Sequence, residues 1–207
     1  METRLKSSEF DRIKYRCGFN SCLVVDCNGV GRERAGGLAL MWNDESNISI
    51  LSFSLNHICG SVADPNHNEL WYLVACYGHP EEQHKKKTWD LIEHLVSQVG
   101  NKVICFGDFN DVVSAEDKSG GNPRTTSQLA IGRGVMSDCG LAEFGFEGYP
   151  FTWSNGREGE DNVQCRLDRA MGTEDFANRF SPIRVLHLPR YGSDHAAVLI
   201  HLEADPR

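Results

Sequence analysis

Long apolar runs are missing from this sequence, and their absence sets the first limits on what the protein is. No stretch of the 207 residues approaches the roughly eighteen apolar positions that a membrane span needs. The first residues, Met1-Glu2-Thr3-Arg4, carry no apolar stretch of the kind found in a signal peptide. Repeats, low-complexity tracts and domain linkers are also missing. We therefore predict one soluble, intracellular domain over residues 1–207, since a chain of this length with 40% hydrophobic residues can bury one sizeable core.

Positive charge is scarce. The chain has 21 Lys and Arg against 29 Asp and Glu, a net charge of -8, and its pI is about 5.5. This balance excludes a large basic face that grips nucleic acid through many phosphates. It leaves nucleic acid open as a substrate, because a site built from several carboxylates can hold divalent cations that screen the substrate's phosphate.

The eight cysteines lack the short paired spacing of a zinc site. Cys17, Cys22 and Cys27 follow one another at five-residue intervals, and no histidine pair follows at ligand spacing. Four others sit singly inside apolar stretches typical of strands: Cys59, Cys76, Cys105 and Cys165. In an intracellular protein this pattern predicts buried free thiols rather than a disulfide framework.

Short apolar runs of strand length dominate what is present. They occupy residues 22–25, 37–42, 48–51, 70–75, 102–106, 151–153, 165–167, 183–186 and 197–201. Turn residues separate several of them, at Asn28-Gly29, Gly36-Gly37 and Asp64-Pro65-Asn66. Tight turns of this kind predict antiparallel strands.

Two segments have helical spacing instead. The first has its apolar residues between Trp89 and Val99, with Thr88 as a candidate N-cap and Gly100 as the stop. The second spans Thr126 to Asp138 and is less regular. Strands and helices interleaved in one domain favour stacked sheets covered by helices.

Polar residues follow a buried run at Gly107-Asp108-Phe109-Asn110. Side chains two apart on a strand share a face, so Asp108 and Asn110 are expected to point the same way. Strand ends with such groups are common places for a functional site. The alternative is a turn in which both side chains only cap the backbone.

Three other polar clusters have the same position after or before apolar runs. Ser193-Asp194-His195 offers a carboxylate and a group that titrates near neutrality, although such a pair is also common on surfaces. Arg166-Leu167-Asp168-Arg169 also fits a salt-bridged strand end. Tyr77-Gly78-His79-Pro80 also fits an ordinary turn with an aromatic plug.

Taken in chain order, these residues resemble the motif set of the endonuclease/exonuclease/phosphatase family, which is deoxyribonuclease I-like. The matching positions are Glu2, Tyr77, Asp108 with Asn110, Asp168, and Asp194 with His195. Finer features are similar to the endonuclease module of plant non-LTR retrotransposon polyproteins, over almost the whole chain. These features are residues 36–42, 77–80, 151–155 and 166–170.

The resemblance implies an α/β (α+β) fold, a four-layer sandwich of two packed, mostly antiparallel sheets flanked by helices. It also implies a Mg²⁺-dependent phosphodiesterase, with Mn²⁺ as an alternative ion, that acts on DNA. Such a protein would be nuclear if it acts on DNA and otherwise cytoplasmic. The resemblance implies no membrane association and no obligate protein partner.

The family pattern also implies a role for each matched residue. Glu2 and Asp194 would ligate the metal, and Asp108 would activate or orient the attacking water. His195 would contact the phosphate oxygen that gains charge, with Asp168 holding its ring. Asn110 and Tyr77 would complete the phosphate pocket. The aromatic residues Phe151 and Trp153 fit either the nucleic-acid face or the core, and we expect core.

The sequence departs from the family pattern at its start. A full member has a strand with an asparagine ligand, a helix, and a second strand that ends in the glutamate matched by Glu2. The first strand, the helix and most of the second strand have no match in this sequence. We therefore expect exposed sheet edges, lower stability, a poorly anchored Glu2, and weak or absent activity. Two other functions stay open: a phosphatase of the same superfamily, and a catalytically inert remnant or binding module.

Overall fold

The computed structural model describes residues 1–64 and 68–203. In that part of the chain the α-helices are α1 (Ser7–Arg16), α2 (Lys85–Ser97), α3 (Thr126–Asp138) and α4 (Glu174–Arg179). The strands are β1 (Ser21–Val25), β2 (Leu38–Trp42), β3 (Ile48–Phe53), β4 (His57–Asp64), β5 (Glu69–Tyr77), β6 (Val103–Asp108), β7 (Lys118–Ser119), β8 (Leu141–Glu143), β9 (Phe146–Gly148), β10 (Trp153–Ser154), β11 (Gln164–Cys165), β12 (Asp168–Thr173), β13 (Ile183–His187) and β14 (Val198–Leu202). None of the described helices is long and apolar enough to cross a membrane.

The central sheet has six strands in the order β3-β4-β5-β6-β12-β8. Four of its neighbouring pairs are antiparallel, and β5 and β6 are parallel because α2 carries the chain back between them. The register places Tyr77 and Asp168 on either side of Asp108. Three polar residues from three neighbouring strands therefore meet where β5 and β6 end and β12 begins.

Alternation along β6 shows how the layers are built. Val103 and Cys105 join a core cluster with Trp89 and Ile92 of α2, while Ile104 joins a second cluster with Phe176 of α4. This two-residue period is what a strand buried on both faces requires. Helices α2 and α3 cover one face of the central sheet, and smaller sheets cover the other.

Those smaller sheets are the hairpin β1-β2 and the sheet β14-β13-β9, in which β13 and β9 run parallel. Leu38 and Val25 of the hairpin pack on Ile58 of β4. The outer surface of β1 contacts α1, whose Phe10 is buried. Four layers follow one another: helix α1, the smaller sheets, the central sheet, and helices α2 and α3. The expected fold class is therefore confirmed. A third small sheet, β10-β11-β7, lies beside the site described below.

Several local predictions need correction. Helix α2 begins at Lys85, one turn before the predicted start, and Thr88 is not its N-cap. The Thr88 hydroxyl instead accepts the His79 N–H at 2.9 Å from inside the first turn. Helix α3 has the predicted bounds and begins after Thr125, whose side chain accepts the Gln128 N–H. Helices α1 and α4 were not predicted, because neither has a long apolar stripe.

The turn and cysteine predictions have clearer outcomes. Gly29, Gly36 and Gly37 all have positive φ angles in the β1-β2 connection, as tight turns demand. The turn predicted at Asp64-Pro65-Asn66 lies partly outside the described residues. The four cysteines predicted as buried free thiols, Cys59, Cys76, Cys105 and Cys165, are free and buried.

Candidate active site

Two aspartates face each other where β6 ends and β12 begins. Asp108 and Asp168 are directly opposite in the antiparallel register and are 5% and 6% exposed. The β6 backbone must approach β5 closely here, since a Cβ on Gly107 would lie 2.2 Å from the Cys76 carbonyl oxygen. Gly107 also has a φ of +134°, which favours glycine. The glycine thus fixes where Asp108 emerges from the sheet.

His195 reaches this pair from the segment that joins β13 to β14. Its Nδ1 lies 2.8 Å from Asp168 Oδ2, and its Nε2 lies 3.9 Å from Asp108 Oδ2. With Nδ1 donating to Asp168, the Nε2 side of the ring faces Asp108 and the cavity. The expectation that Asp168 holds the His195 ring has the geometry it needs.

Thr152 helps to position both Asp168 and His195, a role that the sequence analysis did not predict. Its hydroxyl oxygen accepts the Leu167 and Asp168 N–H groups at 3.0 Å each, and its carbonyl accepts the Ala196 N–H at 2.7 Å. Thr152 is fully buried. It therefore ties the start of β12 to the segment carrying His195. A threonine between two aromatic residues carried no sequence signal for this role.

Asn110 fixes the Asp108 carboxylate through hydrogen bonds. The Asn110 backbone N–H donates to Asp108 Oδ1 at 2.8 Å, and its side-chain amide donates to Asp108 Oδ2 and to the Gly78 carbonyl, both at 3.0 Å. Its φ of 51° lies in the left-handed region, which asparagine tolerates well. The turn alternative thus describes part of the geometry, and this turn fixes the Asp108 carboxylate.

The charges in the site shift one another's pKa values. Burial, followed by the charge of Asp168, raises the pKa of Asp108 to about 6, although His195 and the Asn110 N–H oppose the shift. For His195, burial disfavours the cation, but the hydrogen bond and charge of Asp168 outweigh it and raise the pKa. Burial and nearby Glu2 raise the pKa of Tyr77 to about 12, so its hydroxyl stays protonated at neutral pH.

Glu2 and Asp194 line the same cavity from opposite ends of the chain. Backbone hydrogen bonds from Thr3 and Arg4 to the carbonyls of Gly37 and Gly36 hold the segment that follows Glu2. Glu2 itself forms a 3.0 Å ion pair with Arg4. Asp194 is exposed, and its Oδ2 accepts the Trp153 indole N–H at 3.0 Å.

The carboxylates around this cavity fit a hard divalent cation. Glu2, Asp108, Asp168 and Asp194 all line it, and ligand atoms of Asp108, Asp168 and His195 lie within 4.8 Å of one another. Oxygen-rich donor sets of this kind suit Mg²⁺ or Mn²⁺. Burial, and then the charge of Asp168, raise the pKa of Asp108, and a bound cation would favour its ionised form.

A larger cavity of about 640 Å³ extends from these carboxylates. Tyr77, Asp108, Asp194 and His195 border both spaces. Three basic residues also line this cavity, and sequence reasoning missed them: Lys85, Lys118 and Arg124. They are scattered along the chain and come together only through the fold.

Two sequence interpretations need revision. Trp153 packs against a small core cluster, as expected, but it also lines the cavity and contacts Asp194, so its position is not core alone. The two arginines that flank Asp168 do not pair with it. Arg166 and Arg169 bind Asp117 and Glu143 instead. Phe151 is half-buried and contacts Tyr149 edge to face.

Comparison with known proteins agrees with this geometry. The sequence profile of the Endonuclease/Exonuclease/phosphatase family matches residues 1–195. A comparison with curated protein sequences found no match.

Solved structures with similar folds include several nucleic-acid enzymes. The endonuclease domain of TRAS1, a telomere-specific non-LTR retrotransposon, has a TM-score of 0.66 and 18% identity, covering 89% of this chain and 81% of that one. The 3′ phosphatase NExo from Neisseria, bound to a product DNA hairpin, has a TM-score of 0.69 and 16% identity, with 98% and 86% covered. TDP2 from D. rerio, complexed with a single-strand DNA product, has a TM-score of 0.54 and 14% identity, with 94% and 81% covered. At these identities the likeness concerns the fold.

Proposed function

Because this chain belongs to the Endonuclease/Exonuclease/phosphatase family, we propose that it is a metal-dependent phosphodiesterase that cuts DNA, of retrotransposon origin. One observation carries the proposal. His195 is hydrogen-bonded to Asp168 at 2.8 Å while its other nitrogen lies 3.9 Å from Asp108, a second buried carboxylate. This arrangement supplies an oriented proton donor and a base at one point of the cavity.

Asp108 is the group we assign to the attacking water. With a pKa of about 6 it is mostly ionised at neutral pH and still basic enough to accept a proton. Asn110 fixes both of its oxygens, so the base has a defined direction. A preorganised base of this kind is worth about 10²- to 10⁴-fold in rate.

His195 and Tyr77 are the donors we assign to the phosphate. Asp168 keeps the His195 ring oriented and favours its protonated form, so Nε2–H can donate to an oxygen on which negative charge grows. Tyr77 keeps its hydroxyl proton and borders the same space. Asn110 borders the pocket and acts through Asp108, because its side-chain amide already donates to Asp108 and to the Gly78 carbonyl.

Glu2 and Asp194 are the residues we assign to a divalent cation. Both border the cavity, whereas Asp168 is engaged by His195 and Asp108 by Asn110. Trp153 fixes one Asp194 oxygen and leaves the other available. The chemistry that a bound Mg²⁺ supplies in such a site is neutralisation of phosphate charge.

The extended cavity favours DNA over a small phosphate ester. The carboxylate cluster is continuous with the space lined by Lys85, Lys118 and Arg124. A substrate with several phosphates places one at the carboxylates and others against basic side chains. A small ester with a single phosphate reaches only one of these two regions.

Plasmid nicking with Mg²⁺ tests the proposal. We expect the chain to nick supercoiled plasmid, and Asp108→Ala and His195→Ala each to lose at least about 10²-fold in rate. Asp138→Ala removes an exposed carboxylate at the end of α3 and is the matched control. A Mg²⁺-dependent rise in Tm that is weaker in Asp194→Ala supports the cation site without relying on activity.

The alternatives give different results in the same experiment. Phosphate release from a phosphoinositide without nicking would indicate that the protein is a phosphatase. A cooperative melt without either activity, at any Mg²⁺ concentration, indicates an inert protein. Nicking that persists in Asp108→Ala and His195→Ala contradicts the assigned site.

A further inference from the structure

A second group of metal-binding side chains lies outside the carboxylate cluster, in the segment that connects β5 to α2. Ligand atoms of His79, Glu81 and His84 all lie within 4.8 Å of one another. Pro80 and Glu82 of the same segment, and Lys85 at the start of α2, line the large cavity. The group therefore sits on the rim of the candidate active site and shares none of its residues.

The backbone of this segment is fixed at both ends. A Cβ on Gly78 would lie 2.1 Å from the Phe109 carbonyl oxygen, and the Gly78 N–H donates to the Asp108 carbonyl at 2.7 Å. The His79 N–H donates to Thr88 Oγ1 at 2.9 Å. At the other end, the His84 N–H donates to the Glu81 carbonyl at 2.9 Å. The three ligand side chains thus project from an anchored turn.

Side-chain positions need only small changes to meet at one ion. The two imidazole rings have their centroids 5.7 Å apart at an interplanar angle of 68°. His84 Nδ1 lies 3.9 Å from Glu81 Oε2. Ligands around a tetrahedral ion at about 2.0–2.2 Å are roughly 3.3–3.6 Å apart, so rotamer adjustments of about 1 Å suffice. The Glu81 side chain is 58% exposed, which leaves room for that movement and for a water ligand.

We propose that His79, Glu81 and His84 form a second cation site that takes a transition-metal ion such as Zn²⁺ or Co²⁺. Two imidazoles select this class of ion, whereas the all-oxygen donors of the carboxylate site suit Mg²⁺. The site would clamp the end of β5 to the start of α2 and so order one rim of the substrate cavity.

The local charges are compatible with this assignment. Burial, and then the neighbouring His84, lower the pKa of His79, so its ring is neutral and available as a ligand at neutral pH. Glu81 supplies one negative charge. Lys87 is a nearby positive charge that opposes a cation, and its side chain is exposed, so solvent screens it.

Titration of the reduced full chain with Co²⁺ tests the site, with calorimetry and visible absorption as readouts. We expect one equivalent that persists in Asp194→Ala, which removes an assigned ligand of the carboxylate site. It should lose at least about 10-fold in affinity in His79→Ala and in His84→Ala, and be unchanged in His94→Ala. His94 is an exposed histidine on α2 and serves as the matched control. Saturating Co²⁺ should raise Tm by roughly 5 °C or more in the parent and not in His79→Ala.

Three results would overturn the inference. One is equal affinity in the parent and in both cluster variants. Another is loss of the equivalent in Asp194→Ala, which would assign the ion to the carboxylate site. The third is a thiolate-to-cobalt charge-transfer band, which would assign it to one or more of the eight cysteines. Equal Tm values for parent and variants without metal show that the variants fold.

Discussion

Two clusters of buried or half-buried carboxylates adjoin β12, and they differ in how their charge is balanced. Asp117 and Glu143 are paired with Arg166 and Arg169, whose guanidinium is fully buried. Burial raises the pKa of Asp117, but the two arginines outweigh it and lower the pKa below its ordinary value. On the other side, Asp108 and Asp168 share one histidine, and the pKa of Asp108 is raised. The first cluster is electrostatically complete and the second is not.

The strand itself separates the two. Asp168 and Arg169 are consecutive in β12, so their side chains point to opposite faces. Asp168 turns to His195, and Arg169 turns to Asp117. A completed buried cluster stabilises one arrangement of the chain, whereas an incomplete one keeps charge available for a ligand. The difference is testable by removing one charge from each.

Asp117→Asn should give the largest effect. Its carboxylate accepts hydrogen bonds from both arginines and from the N–H groups of Val113 and Ser114, with its side chain only 2% exposed. Removing the charge leaves the buried Arg169 guanidinium with one of its two carboxylate partners, at a cost of about 3–5 kcal/mol in free energy of unfolding. Urea denaturation at pH 7 measures it. Asp90→Asn, which breaks an exposed pair with Lys86, should leave the midpoint unchanged; equal losses in both would remove the distinction between the clusters.

Asp168→Asn should act on activity more than on stability. The variant keeps the side-chain shape but presents a neutral group to His195 Nδ1, so the ring loses the interaction that raises its pKa. We expect nicking to fall by about 10²-fold or more. The falling limb of the pH–rate profile, which reports loss of the His195 proton, should move to lower pH. An unmoved limb would mean that another group titrates there.

Asp108→Asn should stabilise the protein, the opposite of Asp117→Asn. The folded-state pKa of Asp108, about 6, lies above its ordinary value of 3.8, so the folded state binds the extra proton between these pH values. That contribution is complete below about pH 4 and is lost as pH rises to 6. The variant escapes this loss and should gain about 1–3 kcal/mol over the parent above pH 6. Unfolding free energies from pH 4 to 7 measure the gain, and a constant difference across that range contradicts the assignment.

The layers of the fold were easier to predict from the sequence than the residues that position the candidate site. Short apolar runs marked most of the longer strands, and Asp108, Asp168 and His195 stand out because polar residues lie at the ends of such runs. Thr152 and the basic residues Lys85, Lys118 and Arg124 were not found, because their neighbours are set by pairing between distant segments. The partners of Arg166 and Arg169 were unpredictable for the same reason: Asp117 lies 49 residues from Arg166. The bond from the His79 N–H to Thr88 was also not predicted, and helix α2 begins one turn before the predicted start.

Trp153→Phe should give the smallest effect and test the incomplete cluster at its edge. Phenylalanine keeps an aromatic ring to pack against Val112, Leu129 and Cys165. It removes the indole N–H that donates to Asp194 Oδ2 at 3.0 Å. One hydrogen bond of about 1 kcal/mol corresponds to roughly 5-fold in the Mg²⁺ concentration needed for half-maximal nicking. High Mg²⁺ should restore the rate, since the loss is one of cation affinity. A rate that stays low at saturating Mg²⁺ would instead place Trp153 against the DNA.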